Sequence, residues 1–89
     1  MGTSPLALGG EWTIAQAAAL HEQLRDALAT GQLHWDLGAV TECDSAGVQL
    51  LLAARRSAQA QGAPLVIDPA SPAVRSSLQR YGLDHLLTA

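Results

Sequence analysis

The chain of 89 residues has little of several features that mark common classes of protein. Its only cysteine is Cys43, which cannot form an internal disulfide, so nothing indicates an oxidising compartment. No apolar run approaches the roughly 20 residues that a membrane-spanning helix needs. The start MGTSPLALGG lacks the basic region and the long apolar run of a signal peptide. We therefore expect a cytoplasmic protein with no direct membrane insertion.

Charge is sparse and is unfavourable for nucleic acid. Charged residues make up 15% of the chain and the net charge is −3, whereas about a quarter of residues are charged in an average domain. All five cations are Arg, and they are scattered apart from the Arg55–Arg56 pair. Nucleic-acid binding needs clustered positive charge, so we expect no nucleic-acid partner. A sparsely charged surface leaves room for an apolar docking face, which predicts a protein partner.

Motifs for metals and cofactors are also missing. The three His and the one Cys show no ligand spacing, and neither a phosphate loop nor a dinucleotide-binding glycine motif is present. We expect no metal and no cofactor. Cys43 precedes a predicted helix, but the flanking Glu42 and Asp44 oppose thiolate formation, so we interpret it as a buried apolar residue.

Apolar residues make up 48% of the chain, although there is no Phe and only two Trp and one Tyr. A core of Leu, Ala and Val in one domain, residues 1–89, is therefore expected. A first helix is predicted over 13–31, with Thr13 and Gln16 as a capping box and Gly31 as its stop. A second helix is predicted to start near Ser45 or Ala46 and to end near residue 62.

A third helix is predicted in SPAVRSSLQRYG, because Ser71 is a favourable cap, Pro72 suits the first helical position and Gly82 is a favourable stop. One more turn follows in LDHLLTA, where the leucines at 83, 86 and 87 are expected to close the core.

Strands are predicted at 33–37, where apolar residues alternate, and at 64–68, a continuous apolar run typical of a buried strand. Weaker strand patterns lie at 5–8 and 40–43. Alternation of strands and helices indicates an α/β domain with parallel pairs.

The run CDSAG, before the second helix, allows three interpretations of Ser45. A serine nucleophile needs a base nearby, and the elbow motif G-x-S-x-G is only half present because Cys43 takes the place of the first glycine. The sequence brings no histidine next to Ser45; the histidines are His21, His34 and His85. Ser and Asp are also the preferred helix caps, so Asp44 or Ser45 caps the second helix. The third interpretation, a switch, comes from a resemblance.

The run WDLGAVTECDSAGVQLLLAARRSA resembles the central signature of STAS domains. In that signature an aspartate ends a strand and a turn of small residues follows. Four successive positions then precede an apolar helix: an Asp, a Ser or Thr, a small residue and a Gly. The matching residues are Asp36, Leu37, Val40, Asp44, Ser45, Ala46 and Gly47. GEWTIAQAAALHEQL resembles the family's entry to its first helix, and APLVIDPASPAVRSSLQRYGLDHLL its last strand and final helix. The resemblance implies a single STAS-like α/β domain, with a small mixed sheet and helices packed on one face.

The resemblance also implies a function. Bacterial STAS proteins similar to anti-sigma-factor antagonists are protein-binding switches and not enzymes. A kinase of the histidine-kinase-like ATPase class phosphorylates their Ser or Thr after the aspartate, which here is Ser45. The residues implied as the surroundings of that acceptor and as the docking surface are Asp36, Asp44, Ala46, Gly47 and Val48.

Other members of the family resemble the chain in D-S-A-G itself. Antagonists often have a second hydroxyl residue where this chain has Ala46. D-T-A-G occurs in the STAS subunit of the phospholipid-trafficking ABC transporter, and small chemotaxis-associated STAS proteins are similar around TIAQAAALHEQL. The implied partner is therefore an anti-sigma factor or serine kinase, a chemotaxis component, or a transporter ATPase. A small serine hydrolase is the third function considered.

Overall fold

A computed structural model describes residues 5–87, with the side chains of residues 5–85. Five strands are present: β1 (Leu6–Ala7), β2 (Gly10–Trp12), β3 (His34–Leu37), β4 (Val40–Cys43) and β5 (Val66–Ala70). The helices are α1 (Ala17–Ala29), α2 (Ser45–Ala60) and α3 (Pro72–Arg80), with short 3-10 turns at Ile14–Gln16 and Asp84–Leu87. The predicted α/β class is confirmed.

The strands form two small groups, and each pair within residues 5–87 is parallel. One group has the order β1-β3-β5 and the other joins β2 to β4. Parallel neighbours require a crossover connection. Helix α1 lies in the connections from β1 to β3 and from β2 to β4, and α2 lies in the connection from β3 to β5.

Side chains of the three-stranded group alternate between a covered and an open face. Trp35 and Leu37 on β3 and Ile67 on β5 are buried, whereas His34 and Asp68 are exposed. This alternation is the pattern of strands with one face against the core. It agrees with the expectation that helices cover one face of the sheet.

The core contains more aromatic volume than the composition suggests. Trp12 and Trp35 are both fully buried, together with Leu37, Leu51 and Leu78. The indole N–H of Trp35 donates to the carbonyl of residue 32 at 2.7 Å, so its polar atom is satisfied. Two large rings at the centre therefore complement the predicted aliphatic core.

Three glycines end the three helices, as predicted for each. Gly31, Gly62 and Gly82 have φ of 77°, 82° and 69°, values that a residue with a Cβ adopts only with strain. The side-chain oxygen of Ser71 accepts from the Val74 N–H at 3.2 Å, and Pro72 occupies the first helical position. The local signals of α3 therefore predicted its bounds correctly.

Two strand predictions need correction. The run at 64–68 forms a strand only from Val66 onward, and Val66 is 37% exposed, so the predicted continuous burial is wrong. Leu65 and Ile67, on either side of it, are buried. Strand β2 was not predicted. Leu83 packs against the core as expected, but Leu86 and Leu87 lie outside the described side chains.

Candidate functional site

Strands β2 and β4 bring the starts of two helices to the same edge of the molecule. Glu11 pairs with Glu42 and Trp12 pairs with Cys43, and the Asp44 N–H donates to the Trp12 carbonyl at 3.1 Å. Beyond this last contact, the segment after β2 enters the 3-10 turn that leads to α1, and the segment after β4 enters α2. The two helix starts are therefore neighbours in space although they are far apart in sequence.

The carboxylate of Asp44 joins these two helix starts. Its Oδ1 accepts from the N–H groups of Ala46 at 2.8 Å and Gly47 at 3.3 Å, which caps α2. Its Oδ2 accepts from the N–H of Ile14 at 3.1 Å. One side chain therefore satisfies N–H groups in the first turn of α2 and at the start of the 3-10 turn before α1, which would otherwise lack partners within the backbone.

The predicted capping box at the first helix is wrong. The Thr13 side chain accepts no capping hydrogen bond, and Asp44 holds the next N–H along, that of Ile14. A carboxylate is a stronger acceptor than a hydroxyl because a charge-assisted hydrogen bond is roughly twice as strong as a neutral one. The helix entry is thus held by a residue from a different part of the chain.

The three backbone donors stabilise the ionised form of Asp44. The hydrogen bond from Ile14 contributes most to lowering the pKa of the Asp44 carboxyl, and those from Gly47 and Ala46 add to it. Partial burial opposes the effect without reversing it. The net result is a pKa below the ordinary value, so Asp44 carries a negative charge at neutral pH.

Ser45 is exposed and is the first residue of α2, directly after the cap. Its hydroxyl has no hydrogen-bond partner within residues 5–87. Asp44, and not Ser45, is therefore the cap, which decides between the two residues that the sequence left open. The Ser45 hydroxyl is accessible to a reagent or to a partner from solvent.

The next three residues support the helix start from below. Ala46 is half-buried, and both Gly47 and Val48 are buried. A Cβ on Gly47 would overlap the Trp12 carbonyl oxygen and would lie 2.9 Å from the Cys43 Sγ. Gly47 and Val48 thus hold α2 against the core.

Asp36 has a different local role. It lies at the carboxyl end of β3, and its Oδ1 accepts from the Gly38 N–H at 2.8 Å. This bond shapes the turn between β3 and β4. The hydrogen bonds of Asp36 and Asp44 share no donor, so the two aspartates stabilise separate pieces of backbone.

Cys43 is half-buried and packs against the core. Burial raises the pKa of its thiol; a hydrogen bond with Ser77 opposes the shift, and the Asp44 charge adds to it. The Ser77 hydroxyl donates to the Cys43 carbonyl. Sequence reasoning missed Ser77, although its spacing from Val74 and Leu78 places it on the inward stripe of α3.

A shallow groove lies beside Asp44, between β4 and α3. It is lined by Thr13, Glu42, Cys43, Asp44, Ala73, Ser76, Ser77 and Arg80. No histidine is among these residues, and Ser45 itself lies outside the groove. His34 instead approaches the Asp68 carbonyl at 3.2 Å, on the three-stranded group. The groove therefore contains no histidine base for a serine nucleophile.

The open surface around Ser45 is apolar at one point and acidic at another. Ile14 is 75% exposed, the most exposed large apolar side chain among the described residues. Glu11 and Glu42, which face each other across β2 and β4, are also exposed. Within residues 5–85 no group of three His, Cys, Asp or Glu side chains is arranged to hold a metal ion.

A family model described as "Mlab, STAS domain" matches residues 2–88, nearly the whole chain. No curated protein matches the chain. Among residues 5–87, none of the helices has the length and apolar character needed to cross a lipid bilayer.

Proposed function

Because this chain belongs to the STAS domain family, we propose that it is a bacterial protein-binding regulator switched by phosphorylation of Ser45. A STAS domain is in general a protein-interaction and regulatory module. The proposal adds an acceptor residue, a direction of regulation and a class of partner to that general role.

The observation that carries the proposal is that Asp44 caps α2 whereas Ser45, the next residue, is exposed. Asp44 caps α2, so the Ser45 hydroxyl is not needed for folding and remains exposed. A kinase can modify a hydroxyl in such a position without first opening the helix. A phosphate at a helix N-terminus is also compatible with the helix dipole, so the fold should tolerate it.

The added charge should weaken docking. Asp44 is already ionised beside Ser45, and Glu42 is exposed on the preceding strand. A phosphate adds about −1.5 to −2 charges at neutral pH. A partner surface that fits a neutral hydroxyl would have to desolvate this charge, at a cost of a few kcal/mol, which corresponds to about a hundredfold loss of affinity or more.

The proposed partner is an anti-sigma factor that is also a serine kinase of the histidine-kinase-like ATPase class, or a chemotaxis component under similar control. Such an ATP-dependent kinase acts in the cytoplasm, so we place the protein there. Catalysis is not part of the proposal, because the groove beside Asp44 has no histidine and the Ser45 hydroxyl lies outside it.

A second candidate is an accessory subunit docked on a transporter ATPase, in which the Ser45 hydroxyl is only an interface contact. Ala46 favours it, because that half-buried position has no second hydroxyl to serve a phosphorylation switch. The two functions differ in what a change at Ser45 should do.

The test compares Ser45→Ala with Ser45→Asp in calorimetric titration against the purified kinase-like or transporter ATPase encoded near the gene. The switch predicts that Ser45→Ala keeps its affinity and that Ser45→Asp loses it, while thermal melts show both variants folded. The exposed Ser57, on the same helix, provides matched controls. Ser57→Ala and Ser57→Asp should both bind normally.

Phosphorylation itself is tested with the kinase and ATP, followed by mass spectrometry of the peptide that contains Ser45. Modification at Ser45 that is absent from Ser45→Ala supports the switch. If Ser45→Ala loses binding as fully as Ser45→Asp, the hydroxyl is a contact and the transporter function is preferred. Reaction of Ser45 with a fluorophosphonate probe would instead support a hydrolase.

A further inference from the structure

We propose that a phosphate on Ser45 acts on Ile14 through Asp44: it weakens the hydrogen bond between the Asp44 carboxylate and the Ile14 N–H and frees the entry to α1. The inference rests on the proposed function, because it concerns how that same site is regulated. It adds a physical link between the modified residue and an exposed side chain thirty residues away from Asp44 in sequence.

The Asp44 carboxylate and a phosphate on Ser45 are two anions at the same N-terminus, that of α2. Asp44 uses Oδ1 for the N–H groups of Ala46 and Gly47, the same groups that a phosphate on Ser45 would approach. A helix N-terminus attracts a phosphate for the same reason that it attracts the capping carboxylate. The phosphate therefore both repels Asp44 and competes with it for donors.

The bond to Ile14 differs from the other two in what it connects. The bonds to Ala46 and Gly47 lie within the same turn as Asp44, whereas the bond to Ile14 spans two segments of chain. The Ile14–Gln16 turn has no side-chain cap of its own, because Thr13 does not serve as one. The Asp44 carboxylate is therefore the acceptor on which the Ile14 N–H depends.

Ile14, the residue on which the phosphate is proposed to act, is exposed and close to Ser45. Ile14 is 75% exposed, so its side chain has little packing of its own to hold the turn in place. Asp44, which holds its backbone, is adjacent in sequence to Ser45. Loss of the bond therefore alters the position of an apolar side chain beside Ser45, in addition to the charge that the phosphate brings.

The experiment uses the full chain with phosphoserine introduced at position 45 by semisynthesis and needs neither kinase nor partner. We expect amide hydrogen exchange at Ile14, measured by NMR, to become on the order of tenfold faster, as repulsion between close charges would produce. The Ile14 amide proton should also move upfield as its hydrogen bond weakens. Phosphoserine at position 57 should change neither quantity.

A thermodynamic cycle isolates Asp44. Asp44→Asn should already have faster exchange at Ile14, and phosphoserine at position 45 should then add little. If the phosphate speeds exchange equally in both backgrounds, Asp44 is not the link and the inference fails. It also fails if Ala46 and Gly47 respond to the phosphate while Ile14 does not.

If the phosphorylated chain does not fold, Ser45→Asp provides the same test with a smaller charge. It must then shift the Ile14 amide in the same direction by a smaller amount, and an unchanged Ile14 amide overturns the inference. Failure of the proposed function looks different, because it appears as an unmodified Ser45 or unaffected partner binding. Either result can occur without the other.

Discussion

The backbone of Trp12 passes so close to Gly47 that no side chain fits between them. A Cβ at position 47 would overlap the Trp12 carbonyl oxygen and would lie 3.0 Å from the Trp12 Cβ. The glycine of the D-S-A-G run, Gly47, is therefore explained by packing. Because it has no side chain, the first turn of α2 can lie directly on the end of β2.

Gly47→Ala should therefore destabilise the protein, although the same change at an exposed helix position stabilises by up to about 1 kcal/mol. Overpacking of this kind costs about 1–3 kcal/mol. Urea unfolding monitored by circular dichroism measures it, with Ser45→Ala as a control that should change the free energy of unfolding by less than about 0.5 kcal/mol. Increased stability of Gly47→Ala would contradict the close packing.

Replacing Asp44, the cap of α2, should lower the free energy of unfolding more than replacing Thr13, the predicted cap of the first helix. Asp44→Ala removes three hydrogen bonds to backbone donors, and loss of a cap alone typically costs about 0.5–2 kcal/mol. Thr13→Ala removes no cap, so its effect should be within about 0.5 kcal/mol. Chemical denaturation of both variants decides the matter, and the reverse order would restore the capping box.

Acid should weaken the protein in part through Asp44. Because the folded-state pKa of Asp44 is lowered, its contribution is present above the unfolded pKa of about 4 and is lost as the pH falls through the folded value. The stability difference between the wild type and Asp44→Asn should therefore be largest near neutral pH and should shrink below about pH 4. Urea midpoints measured over that range test the sign; a constant difference would contradict it.

The core predictions follow the observed burial. Leu24→Ala and Leu51→Ala remove buried side chains, so each should cost roughly 2–5 kcal/mol. Leu52, next to Leu51 on α2, is only partly buried, so Leu52→Ala should cost less. Val66→Ala should have the smallest effect, because Val66 is partly exposed on β5. Equal losses at Leu51 and Val66 would show that the assigned faces are wrong.

Cys43 should react slowly. Burial, aided by the Asp44 charge, raises the pKa of its thiol, so the thiolate fraction at neutral pH is smaller than for an ordinary cysteine. Alkylation by iodoacetamide at pH 7 should be slower in the folded protein than after unfolding in urea. Asp44→Asn, which removes the charge, should accelerate the reaction modestly; faster alkylation of the folded protein than of the unfolded chain would refute the assignment.

The parts of the fold that the sequence predicted well are those with local causes. The cap, the proline and the glycine of α3 all act within one turn of the helix ends, so their spacing alone located it. Strand β2 lacked such a signal because GEW is too short to show alternation. At 64–68 every apolar residue was assigned to the core, but the period of a strand turns Val66 outward between Leu65 and Ile67.

The candidate site was predictable in composition and not in geometry. The run CDSAG pointed to Asp44 and Ser45, and the structure assigns the cap to Asp44. The bond from Ile14 to Asp44 could not be predicted, because no sequence pattern reports a contact across thirty residues. The role of Ser45 as acceptor stays a prediction. So does the role of its predicted surroundings in docking a partner, namely Asp36, Asp44, Ala46, Gly47 and Val48.

The pairing of strands that are distant in sequence also affects the order in which the protein can fold during its synthesis. Leu6 pairs with Trp35, Gly10 with Val40 and His34 with Val66, so each described pair joins segments roughly thirty residues apart. Such non-local contacts slow folding relative to a helical bundle of the same size. On the ribosome, the entry to α1 emerges well before Asp44 and cannot be completed until β4 has followed it out. The start of the first helix therefore stays open until the chain thirty residues further along, as far as Asp44, has been made.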